Sequence, residues 1–84
     1  MTQVLPTVEY DAEADAIYIR LADGPYDHGR DFDDDRRVDY APTGEPVGLE
    51  LLNVSLGVNL RGLPQQRLIA QLLENHGIRT VQAA

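Results

Sequence analysis

The chain has no cysteine and no lysine, one serine and two histidines in 84 residues. Without cysteine there is no disulfide and no thiolate metal ligand. His28 and His76 alone are too few nitrogen ligands for a zinc-type centre, and His28, beside Asp27 and Asp31, reads as a surface residue. The single serine, Ser55, lacks the G-x-S-x-G elbow of a nucleophile. Gly57 and Gly62 lack the following lysine and the strand–loop–helix setting of a phosphate loop. No apolar run approaches the roughly 20 residues of a membrane helix. Met1 to Leu5 carries no basic segment leading into an apolar one, so the expectation is a soluble, cytoplasmic protein with no membrane partner.

Positive charge is scarce and unevenly placed. Residues 1–50 hold 13 Asp and Glu against 4 Arg, whereas residues 51–84 hold 1 Glu and 3 Arg. An acidic front half does not grip phosphate, so direct nucleic-acid binding is not expected. Such a surface suits solubility or a partner with a basic face. At this length one domain, residues 1–84, is expected, and its core is small. Pairing with a second copy is the common way to bury more surface, so a homodimer is expected.

Thr7-Val8-Glu9-Tyr10 alternates polar and apolar residues, as a half-buried strand does. Asp11 to Ala14 suits a turn. Ala16 to Leu21 is β-branched and aromatic; helix competes over Ala12 to Leu21, but Ile17-Tyr18-Ile19 favours a strand. Ile17, Ile19 and Leu21 would then point inward. Asp23-Gly24-Pro25 marks a turn, and Gly29 to Phe32 has weak strand character. Arg37 to Ala41 and Pro46 to Asn53 read as a hairpin about Pro42-Thr43-Gly44, with Pro42 at the first corner and Gly44 open to positive φ. Residues 56–63 read as a loop. Helix 64–76 follows, with Pro64 in its first turn, Leu68, Ile69, Leu72 and Leu73 as an apolar stripe, and Gly77 just past its end. The tail 77–84 closes the chain, with Ile78 to Val81 a short strand or packed tail. The expected fold is α+β: an antiparallel β-meander of four to five strands over residues 8–55, with the C-terminal helix packed on it.

Two acidic stretches and one isolated glutamate are the candidate sites. Asp11, Glu13 and Asp15 alternate and could offer oxygens to a hard cation if the chain were extended. The preferred reading is a solvated turn whose carboxylates accept backbone N–H bonds, with Asp15 capping the strand start. Asp31-Phe32-Asp33-Asp34-Asp35 fails as a calcium loop, since Arg36 stands where glycine is needed and Pro42 where a glutamate belongs. Its repulsion needs Arg30, Arg36, Arg37 or a partner as offset. Asp31, Asp33, Asp34 and Asp35 are therefore the candidate partner-binding residues, against the plainer reading of a solvated loop. Glu50 lies among leucines; if buried it needs a partner, and Tyr18 and Arg20 are the candidates. Asp11, Glu13, Asp15, Tyr18, Arg20 and Glu50 make up a possible polar site. No catalytic residue, metal or cofactor is assigned.

Three stretches resemble a bacterial family catalogued as domain of unknown function 2283. They are Tyr10-Asp11-Ala12-Glu13-Ala14-Asp15-Ala16-Ile17-Tyr18-Ile19, then Val38-Asp39-Tyr40 with Gly44, then Val47-Gly48-Leu49-Glu50-Leu51-Leu52-Asn53, covering about residues 8–55. Tyr26 to Arg36 is richer in aspartate than that pattern. The resemblance implies a small β-meander protein with a terminal helix. Some members are encoded beside small toxin-like proteins, which implies an antitoxin-type role. The functional expectation is a small acidic non-enzymatic interaction protein that covers a basic protein encoded nearby. The alternatives are a metal-dependent enzyme or module built on Asp11, Glu13, Asp15 and Glu50, and a purely structural dimerisation unit.

Overall fold

A computed structural model describes residues 4–81. Two compact units divide them, one ending at Leu52 and the other beginning at Asn53. The first is a five-stranded antiparallel sheet: β1 (Thr7–Asp11), β2 (Ala16–Arg20), β3 (His28–Asp31), β4 (Arg36–Tyr40) and β5 (Pro46–Leu52). The spatial order is β1-β2-β5-β4-β3. Chain neighbours pair in β1–β2 and in β3–β4–β5, and β2 lies against β5 to join the two groups. With one helix in the second unit the class is α+β, as expected.

Residues 12–21 are extended from Ala16 onward, as the Ile-Tyr-Ile run favours. Directly opposed residues share a face. Ile17 faces Leu51, Ile19 faces Leu49, and Val38 faces Leu49 from the other side. All five side chains are at most 1% exposed. Intervening positions carry polar groups: Tyr18 faces Glu50, and Glu50 faces Arg37. The register therefore sorts the sheet into an apolar buried face and a polar one.

The turns follow from local chemistry. Pro42 occupies the first corner of the β4–β5 turn, the Gly44 amide donates to the Ala41 carbonyl at 2.9 Å, and Gly44 has φ 88°. A register shift at Asp39/Tyr40 leaves Val47 bulged, and its carbonyl accepts from the Leu21 amide at 2.9 Å.

In the second unit a 3₁₀ turn (Val54–Leu56) leads to β6 (Val58–Asn59) and α1 (Gln66–Asn75). β7 (Thr80–Val81) pairs in parallel with β6, so the segment 56–63 expected as loop contains a short strand and the tail supplies its partner. Pro64, expected inside the helix, precedes it, because Gln65 adopts φ 51° and breaks the helical path before Gln66. The other end matches expectation. Gly77 has φ 71°, its amide donates to the Glu74 carbonyl at 3.0 Å, and the Ile78 amide donates to the Leu73 carbonyl at 2.8 Å. That pair of bonds is a Schellman cap, with Leu73 and Ile78 both buried as its apolar clasp. Of the predicted stripe, Ile69 and Leu73 are buried and Leu68 and Leu72 half-buried. Among the described residues no helix is long and apolar enough to cross a membrane.

Leu49 faces both Ile19 and Val38, so its truncation opens a cavity between three strands. We expect Leu49→Ala to lower the unfolding free energy by about 2–5 kcal/mol in urea titrations.

Candidate functional site

The candidate site is the polar face of the sheet. Register places Thr7, Glu9 and Asp11 of β1 on it, with Tyr18 and Arg20 of β2, Gly48, Glu50 and Leu52 of β5, Arg37 and Asp39 of β4, and Gly29 and Asp31 of β3.

A hydrogen-bonded chain crosses this face. The Tyr18 hydroxyl donates to Asp39 Oδ2 at 3.0 Å, and Arg37 Nε donates to Asp39 Oδ1 at 3.3 Å. Arg37 Nη1 and Nη2 donate to Asp31 Oδ1 and the Tyr26 hydroxyl, each at 3.3 Å. Two glycines make room for it. A Cβ at Gly48 would stand 2.0 Å from the Tyr18 hydroxyl, and one at Gly29 would stand 2.1 Å from the Arg37 guanidinium. Tyr18 thus lies diagonally across β5 to reach β4. Burial first, then the hydrogen bond and negative charge of Asp39, push the Tyr18 hydroxyl above its ordinary pKa; Arg20 opposes this. Tyr18 is therefore a proton-holding donor at neutral pH and a poor general base.

Glu50 is exposed, not buried as the condition for a partnered carboxylate required. Neither expected partner bonds it. Tyr18, its direct neighbour, reaches past it to Asp39, and Arg20 Nη2 donates to the Gly24 carbonyl. Glu9, Asp34 and Glu50 form no ion pair among the described residues. Two open cavities flank Glu50. One of about 480 Å³ is lined by Glu9, Tyr10, Asp11, Ala12, Ala16, Ile17, Tyr18 and Glu50. The other, about 430 Å³, is lined by Asp31, Asp33, Asp34, Asp35, Arg36, Arg37, Glu50 and Leu52.

Asp11, Glu13 and Asp15 do not line up, because residues 12–15 are a turn and not extended chain. Asp11 Oδ1 accepts from the Ala14 amide at 3.0 Å, so Asp11 caps the turn. Asp15 takes the left-handed conformation, φ 54°, that closes it. Among the described residues no three His, Asp or Glu side chains converge as a metal site requires.

The acidic run is largely self-organised. Asp33 Oδ1 accepts from the Asp35 amide at 3.0 Å and its Oδ2 pairs with Arg36 Nε at 2.9 Å, while the Arg36 guanidinium lies 5.7 Å from the Phe32 ring centre. Slight burial raises the Asp33 pKa, but the Asp35 amide and Arg36 outweigh it, so the carboxyl sits below its ordinary value. Asp31 pairs with Arg37 as described, and Asp34 points to solvent. The expected offset by Arg36 and Arg37 is therefore present. His28 is exposed, donating from Nδ1 to Asp27 at 2.8 Å and stacking on Tyr40 at 5.3 Å.

Tyr26, Gly29, Arg37, Asp39 and Gly48 are members of the site that the sequence alone does not mark. The usable signal was the alternation Arg37-Val38-Asp39, which puts both charges opposite a buried valine. The pairing of Asp39 with Tyr18 needed the strand order.

The family model described as "Protein of unknown function (DUF2283)" matches residues 7–55, the stretch that holds the whole five-stranded sheet. No curated protein and no solved structure matches the chain.

Gly48→Ala sets a methyl against a rigid ring and is expected to cost about 1–3 kcal/mol. Gly29→Ala displaces only a flexible guanidinium and should cost less than about 1 kcal/mol. In a Tyr18→Ala background the Gly48→Ala cost should vanish in a denaturation double-mutant cycle. The lowered Asp33 carboxyl stabilises the fold above the ordinary aspartate value of about 3.9, and that contribution is lost as pH falls through its lower folded-state value. Asp33→Asn should therefore flatten the acid limb of a stability–pH curve, leaving stability at neutral pH relatively lower.

Proposed function

The chain belongs to the DUF2283 family, proteins of unknown function, and on that premise we propose that it is a non-catalytic, homodimeric interaction protein that covers a basic protein partner, in the manner of an antitoxin. One observation carries the reading. The polar face holds five carboxylates, those of Glu9, Asp11, Asp31, Asp39 and Glu50, against two guanidinium groups, those of Arg20 and Arg37. Arg37 is already engaged by Asp31 and Asp39, while Glu9 and Glu50 have no ion pair among the described residues. A face of this kind attracts a positive partner, speeds its approach and rejects an anionic one.

The chemistry of the face supports binding over turnover. Tyr18 keeps its proton and gives a hydrogen bond to Asp39, and the Glu9 and Glu50 carboxylates are exposed to an approaching cation. Exposed apolar side chains, Leu52 on this face and Tyr26 beside it, favour association of two copies.

The test is titration with polyarginine, polyglutamate as control, by calorimetry at several salt concentrations, with mass measured by light scattering. Binding to polyarginine alone is expected, weakening as salt rises. Glu9→Gln and Glu50→Gln should each weaken it roughly two- to fivefold. Indifference to salt, equal binding of polyglutamate or no binding would end the interaction reading, and the mass of a single chain would end the dimer.

A further inference from the structure

We infer that the hollow over Ala16 on the polar face is an anchor pocket for one arginine side chain of the basic partner. This rests on the reading of the partner as basic and specifies the residue by which it is gripped.

Register sets the frame of the hollow. Tyr18 has a glutamate directly opposite it on each side, Glu9 on β1 and Glu50 on β5. In the next row Ala16 lies between Asp11 of β1 and Leu52 of β5, and contributes only a methyl group. The Tyr18 ring does not fill the gap. Its hydroxyl is held by Asp39 at 3.0 Å, and to reach it the ring crosses Gly48, which lies opposite Arg20. The ring therefore leans toward the Arg20 row and away from the Ala16 row. What remains is a cavity of about 480 Å³, lined by Ala12, Ala16 and Tyr18 and by the carboxylate residues Glu9, Asp11 and Glu50. Ligand clefts occupy about 300–1,000 Å³ and combine apolar walls with a few polar groups, as this one does.

The lining selects the occupant. Apolar walls beside carboxylates suit a cation carried on a long apolar stem. Among the described residues Glu9 and Glu50 have no ion pair, and Asp11 accepts only the Ala14 amide, on Oδ1. The Glu9 and Glu50 backbones stand on either side of β2, about 10 Å apart at the usual strand spacing. No three acidic or histidine side chains among the described residues converge closely enough for a metal ion, so the hollow suits a broader cation. A guanidinium is such a cation. It is planar, offers five N–H donors, can bond carboxylates on two sides at once, and stacks its face on an aromatic ring. A lysine ammonium is a compact, strongly hydrated point charge with no planar face to stack. The pocket therefore discriminates between two side chains of equal charge, which attraction to an acidic face alone does not.

The experiment titrates the whole chain with hexa-arginine, hexa-lysine and N-acetyl-arginine amide by calorimetry. Hexa-arginine is expected to bind about three- to tenfold more tightly than hexa-lysine, and the single arginine most weakly. Ala16→Phe fills the hollow without changing charge and should bring hexa-arginine down to the affinity of hexa-lysine. On the unaltered chain, nuclear Overhauser contacts are expected between the Ala16 methyl and the δ-methylene of a bound arginine, a readout that does not depend on the variant folding. Hexa-lysine binding at least as tightly as hexa-arginine, an undiminished hexa-arginine affinity in folded Ala16→Phe, or no contact at the Ala16 methyl overturns the anchor and leaves the basic-partner reading intact. Failure of both hexamers to bind overturns both. A single arginine that binds as tightly as hexa-arginine assigns the hollow to a free small cation and likewise overturns the inference.

Discussion

Everything on the sheet depends on how β2 lies against β5. Ile17 opposite Leu51 and Ile19 opposite Leu49 put four large aliphatic side chains on one side, each at most 1% exposed. Each such side chain removed from water is worth about 1.5–3 kcal/mol. A slip of β2 by one residue would turn Ile17 and Ile19 to solvent and bury Tyr18 and Arg20 in their place. The register is therefore fixed by the apolar face, and the polar face inherits its layout from a decision made on the other side.

That inheritance explains why the polar face is held together by so few direct neighbours. Tyr18 and Glu50 are opposed by register, yet the long ring of Tyr18 passes over the bare backbone of Gly48 to Asp39 on the next strand. Arg37 crosses Gly29 in the same way to reach Tyr26, Asp31 and Asp39. Glycine within a strand costs order and packing, and here it supplies the low places across which long polar side chains run. Individually these surface bonds are weak, since exposed ion pairs contribute about 0–1 kcal/mol. Together they tie up Arg37 and leave Glu9, Glu50 and Asp34 exposed, with no ion pair among the described residues.

The residues within each acidic stretch differ in what they do with their charge. Asp11 spends one carboxylate oxygen on closing the β1–β2 turn, and Asp15 tolerates the left-handed backbone the turn needs. Asp33 is similarly absorbed by the Asp35 amide and Arg36. Acidic residues that look alike in a row of letters thus separate into those serving the turn and those presenting charge, such as Asp34.

From the order of residues alone came the five strands of the sheet, the Pro42–Gly44 turn, the Gly77 helix stop and the inward set Ile17, Ile19 and Leu21, because alternation, turn chemistry and capping act over a few neighbouring residues. The fate of Glu50, the partner of Tyr18 and the roles of Arg37, Asp39, Gly29 and Gly48 were settled only when β5 came to lie between β2 and β4. Which side chains meet across three strands depends on strand order and on the space left between them, and neither is written in local periodicity.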